Sequence, residues 1–97
     1  MQEVFRAIAD PVRRALIEQL AIRNDQTLYE LCVRLLTAGH GISRQAVSKH
    51  LAVLQQAGLI RTTVQGRTTV HHLDPSALGG ARDWIDRAAP SEPGEER

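Results

Sequence analysis

Apolar positions recur along this chain with two different periods. From Ile42 to Gly58, ISRQAVSKHLAVLQQAG, the period is helical. At about 100° per residue, Val47, Leu51 and Leu54 fall on one side. Gln45, Lys49, Ala52 and Gln56 fall opposite, with Ser48 beside them. Ser43 precedes the pattern and is a suitable N-cap, because its hydroxyl can accept from a free amide of the first turn. Gly58 follows the last periodic residue and suits the left-handed position just past a helix end.

Three more helical stretches precede this one. Val4, Phe5, Ile8 and Ala9 are spaced for one face of a short helix. Asp10-Pro11 restarts the helix, with Asp as cap and Pro at the first helical position. Val12, Leu16 and Leu20 then mark an inner face, with Ala15 and Ile17 close by and Arg13 and Arg14 pointing outward. Thr27-Leu28-Tyr29-Glu30 is a capping box. The helix it opens turns Leu28, Leu31, Leu35 and Leu36 inward and ends near Ala38, before Gly39-His40-Gly41. Two helices joined by a short Gly-containing turn, the second with a polar outer face, predict a helix-turn-helix.

After Gly58 the period shortens. Leu59 to Val64 and Arg67 to Leu73 are rich in β-branched residues and flank Gln65-Gly66, a hairpin turn. A hairpin directly after such a helix is a wing. Arg67 sits at its tip, where it can reach backbone phosphate or a minor groove. Asp74-Pro75 is a stop, and Ser76 is the expected cap that begins a last helix with Leu78, Ala81, Trp84 and Ile85 on one side. Residues 89–97 are Pro-rich and acidic and are expected to be disordered. The expected fold is mostly α with a small β-hairpin, a winged helix-turn-helix over residues 1–88.

Charge sharpens this picture. The net charge of the chain is only +1, but its distribution is uneven. Residues 1–30 carry net −1 and residues 74–97 net −3. Residues 31–73 hold Arg34, Arg44, Lys49, Arg61 and Arg67, all four His and no acid. Such a basic block suits an anionic partner, with acidic flanks that limit indiscriminate binding. Within it, Arg44, Gln45, Ser48 and Lys49 offer guanidinium, amide, hydroxyl and ammonium groups near one helix N-terminus. These groups read base edges and grip phosphates in a major groove.

Length and composition narrow the alternatives. Ninety-seven residues make one domain or one protomer of an assembly. Cys32 is the single Cys, so no intrachain disulfide forms, which fits a reducing cytosol. Neither a signal peptide nor an apolar run of membrane-spanning length is present, and the expectation is a soluble cytoplasmic protein. The chain has no nucleophile elbow, P-loop, paired-His metal motif or Rossmann fingerprint, so no enzyme is expected. The competing reading is a winged helix used for protein–protein contact, which would not need an acid-free polar face and a basic wing tip.

Three motifs, VFRAIADPVRRALIEQL, SRQAVSKHLAVLQQAGLI and GRTTVHHLDPSAL, together with the order of elements, resemble the ArsR family of winged-helix repressors. The resemblance spans about residues 2–87. It implies a homodimer that binds a palindromic double-stranded DNA operator and represses transcription. It also implies DNA contacts in the first two turns of the recognition helix, which selects Arg44, Gln45, Ser48 and Lys49. The dimer would be built from the first and last helices, here through Val4, Phe5, Ile8, Leu78, Trp84 and Ile85. Those faces are apolar on a protein too small to cover them easily, which suits a self-complementary interface.

ELCVRLL is similar to the family's ELCVC metal-binding stretch, but Arg34 stands where the second thiol would be. A cation there repels a metal, and one thiolate does not supply the several soft ligands such sites use. His71 and His72 point to opposite faces of a strand. The pattern is therefore that of a member without a metal site, and no cofactor is expected. The segment from Thr27 to Ser43 is longer than is usual in the family, which predicts either a longer first helix or a wider turn.

Overall fold

The computed structural model describes residues 1–91, so most of the stretch expected to be disordered, 89–97, lies outside the described residues. The elements are α1 (Gln2–Ile8), α2 (Pro11–Ile22), β1 (Gln26–Thr27), α3 (Leu28–Thr37), α4 (Arg44–Gln56), β2 (Ile60–Gln65), β3 (Thr68–Leu73) and α5 (Pro75–Ala88).

Side chains start four of the five helices by taking up otherwise free amides. Asp10 Oδ1 accepts from Val12 N at 2.8 Å and Arg13 N at 3.1 Å. Thr27 Oγ1 accepts from Glu30 N, and Glu30 Oε1 accepts in return from Thr27 N at 2.8 Å. Ser43 Oγ accepts from Ala46 N at 3.1 Å. The cap of α5 is Asp74, not the expected Ser76. Pro75 lacks an amide hydrogen and has a preset φ, so the first helical position costs it nothing and the helix starts earlier. Ser76 instead donates its hydroxyl to Asp74 Oδ1 at 2.7 Å.

The core lies between α2, α3 and α4 and the base of the hairpin. Leu16, Leu20, Leu31, Leu35, Val47, Leu54, Leu59 and Ile60 are essentially sealed from solvent. Three expectations of side-chain direction fail. Leu36 is 66% exposed, because it lies about 100° beyond Leu35 and packs over Gly41 in the connection to α4. Ala7, not Ala9, fills the space beneath α1, which ends at Ile8. Arg13 does not point outward: its Nε donates to Ala7 O at 2.6 Å. Between Thr27 and Ser43, α3 takes ten residues and the connection to α4 runs over residues 38–43.

The sheet has three antiparallel strands in the order β1-β3-β2. The hairpin closes on the pair Gln65 with Thr68, so its turn is Gly66-Arg67 and not Gln65-Gly66. Of these two, only Gly66 has positive φ, +66°, the pattern of a type II′ hairpin turn. β1 adds a strand that the apolar pattern did not reveal, pairing Gln26 with His71 and Thr27 with Val70. The Gln26 side chain is fully buried, and its Nε2 donates to Gln19 O at 3.0 Å and Arg23 O at 2.6 Å, closing the C-terminus of α2. α5 packs on α1. No helix among the described residues is long and apolar enough to cross a membrane.

Candidate nucleic-acid interface

The outer surface of α4 is organised by its own packing. Val47, Leu51 and Leu54 anchor one side in the core, and Gly58 ends the helix with φ +77°, a left-handed value that a side chain resists. The anchored side dictates what faces out. Arg44, Gln45, Ser48, Lys49 and Ala52 are all exposed.

These outer residues divide into two stripes along a shared crest. Gln45, Ser48, Lys49 and Ala52 line one shallow concavity. Arg44, Ser48, Ala52 and Gln55 line a second and larger one, which separates α4 from the wing. Successive helical residues differ by about 100°, so Arg44 and Gln45 fall on opposite slopes of the crest. Arg44 therefore shares a trough with Arg67, while Gln45 and Lys49 face outward from the body. The structure brings together all five residues expected to contact DNA.

The trough holds about 720 Å³ and opens widely to solvent. Its far wall is the inner face of the hairpin, with Thr62, Thr69 and His71, and Arg67 closes the wing end. Its third side is the N-terminus of α3, with Thr27, Leu28 and Tyr29. No lining residue is acidic. His71 Nδ1 lies 3.0 Å from Gln26 O, which can only accept, so Nδ1 carries the hydrogen. Tyr29 and the wing threonines were not singled out in the sequence, because the trough exists only once α3, α4 and the hairpin are assembled.

Carboxylates near this surface are tied down. Glu30 is held below its ordinary pKa by the Thr27 amide and then by the Thr27 hydroxyl. Asp74 is lowered by both the hydroxyl and the amide of Ser76, and it lies 3.6 Å from Arg61 Nε. On the opposite face of the sheet, His72 bridges Asp25 and Thr63, with Nε2 2.7 Å from Thr63 Oγ1. His71 and His72 thus occupy separate environments. No group of three or more His, Cys, Asp or Glu side chains among the described residues is placed to hold a metal ion. Cys32 is half-buried against the core, and Arg34 Nη1 lies 3.4 Å from Gln19 Oε1.

The six residues expected at a dimer face are not equivalent. Val4 is only 7% exposed and belongs mainly to the protomer's own core, so it offers a partner little surface. Phe5, Ile8 and Leu78 are half-buried. Trp84 packs edge-on against Phe5, with ring centroids 5.4 Å apart, yet remains 48% exposed. Ile85 is 49% exposed beside it.

Residues 8–63 match the family model described as a helix-turn-helix domain. The chain is 44% identical over 85 residues to YuzN, a helix-turn-helix transcriptional regulator of Bacillus subtilis, covering 86% of this chain and 92% of that protein. It is 31% identical over 86 residues to the arsenical resistance operon repressor of Escherichia coli, covering 89% of this chain and 69% of the repressor. Its fold superposes on that of an ArsR-like transcriptional regulator from Rhodococcus sp. RHA1 with a TM-score of 0.75 at 31% identity, over 90% of this chain and 76% of that one.

Proposed function

The chain belongs to the ArsR family of winged helix-turn-helix transcriptional regulators, and we propose from that premise that it is a homodimeric repressor of a palindromic operator. It is a DNA-binding regulator of transcription. In the proposed assembly two copies of α4 enter successive major grooves, roughly 34–36 Å apart. Gln45, Ser48 and Lys49 face base edges, because they occupy the slope turned away from the body. Arg44 and Arg67 face each other across the trough and grip backbone phosphates, which fixes register without reading sequence. Bound dimer excludes polymerase from the promoter, in the cytoplasm where the chromosome lies.

The observation that carries this reading is an exposed α4 crest with no acid on either slope, beside a trough walled by two arginines. The dimer is supported by the half-exposed Trp84 and Ile85, which extend an apolar strip from α5 across Phe5 of α1. In a symmetric pairing of that strip, a two-fold axis relates the two α4 crests, as a palindromic operator requires. The named relatives are regulators and repressors of transcription, which leaves a protein-contact module without support. Selection of genomic DNA fragments on the purified protein tests the proposal. The expected enrichment is an inverted repeat with half-sites one helical turn apart. Enrichment of no sequence, or of a single asymmetric half-site, would contradict it.

A further inference from the structure

Tyr29 is 67% exposed at the mouth of the trough, and its hydroxyl makes no hydrogen bond with any described residue. It is the second residue of α3. The capping groups beside it are already committed, since the Thr27 amide and hydroxyl both bond to Glu30. The Glu30 carboxylate is in turn drawn to the Thr27 amide and to Arg23, 3.9 Å away. A free phenol therefore stands at one end of a trough whose other sides present Arg44 and Arg67 and no acid.

The geometry of a winged helix on a duplex says what would enter that trough. When α4 lies in a major groove and the wing tip reaches the flanking minor groove, one sugar-phosphate strand separates the two grooves. That strand must cross between helix and wing. We propose that the trough seats this backbone strand and that Tyr29 donates its phenolic hydrogen to one of its phosphates, as a neutral positioning residue beside Arg44 and Arg67. The inference rests on the DNA-binding reading above and adds a contact that the recognition helix and wing do not supply.

A neutral donor and a cation leave different signatures. Each arginine that neutralises a phosphate releases counterions, whereas a phenol does not. Fluorescence anisotropy with the selected operator and with an unrelated duplex, over a range of KCl, separates them. Tyr29→Phe should weaken binding about tenfold on both duplexes, the value of one hydrogen bond to a charged acceptor, with the salt slope unchanged. Arg67→Ala should lower that slope by about one. A methylphosphonate scan of the operator should find one position per half-site where the substitution weakens wild type but not Tyr29→Phe. Wild-type affinity of Tyr29→Phe on both duplexes would overturn the proposal. So would a loss confined to the operator, which would make Tyr29 a base reader. Failure of the wild-type protein to bind any duplex would instead sink the DNA-binding reading, and this contact with it.

Discussion

Arg13 Nη1 lies 3.2 Å from His50 Nδ1, joining α2 to the recognition helix across 37 residues of chain. Arginine only donates, so His50 Nδ1 is the acceptor and the ring carries its hydrogen on Nε2. The same guanidinium reaches the end of α1, where Nε donates to Ala7 O at 2.6 Å. One side chain thus fixes α1, part of the proposed dimer face, relative to α4, the proposed DNA-facing helix.

Removing that link should cost stability. Arg13→Ala leaves the Ala7 carbonyl and His50 Nδ1 without their donor in a half-buried setting. The expected loss is about 1–3 kcal/mol, read as a lower midpoint in urea or heat. Arg14→Ala is the comparison, because Arg14 Nη1 reaches Ile8 O at 2.9 Å in an exposed setting, and it should cost less. Equal melting of Arg13→Ala and wild type would remove this role.

Much of the fold could be read from residue spacing, and the failures share a cause. The caps at Asp10, Thr27 and Ser43 and the two faces of α4 are local, set by neighbours within one turn. β1 is two residues long and exists only because Gln26 and Thr27 meet His71 and Val70 from the far end of the chain. Leu36 and Arg13 were misplaced because helical angle alone does not say where a neighbouring helix turns away or where a carbonyl waits. The exposure of the five residues proposed to face DNA was legible because helix faces and turn tips are local features. Their division into an outward slope and a trough was not, since it depends on where the hairpin lies beside α4. Tyr29 escaped for the same reason.

Acid should weaken the fold through its helix caps. Asp74 is lowered by the Ser76 hydroxyl and amide, and Glu30 by the Thr27 amide and hydroxyl. For Asp10, burial acts to raise the pKa, but the Arg13 and Val12 amides outweigh it and the net shift is downward. With folded values below the ordinary 3.8 for Asp and 4.5 for Glu, the unfolded chain takes up these protons first. Stability from these caps is therefore complete above about pH 5 and is lost as pH falls through the folded values. Melting temperature should drop between pH 5 and pH 3, and Asp10→Asn should show a shallower drop. A pH-independent melting temperature over that range would contradict the assignment.

The dimer face makes its own prediction. Trp84→Ala should weaken self-association by about 2 kcal/mol or more if the ring is an interface anchor. Because Trp84 also packs on Phe5 in its own protomer, Ile85→Asp is the cleaner variant, placing a charge on the exposed side of the strip. Sedimentation equilibrium at micromolar concentration should find wild type dimeric and both variants shifted toward monomer. A monomeric wild type would rule out the assembly.

In the proposed complex the outward slope of α4 reads the operator. The direct measurement is the affinity of wild type and of Gln45→Ala and Lys49→Ala for the selected operator and for an unrelated duplex. Gln45→Ala should cost about 1–3 kcal/mol on the operator and little on the unrelated duplex, narrowing the specificity ratio. Lys49→Ala should do the same where the ammonium contacts a base. Wild-type affinity and specificity in both variants would contradict the account.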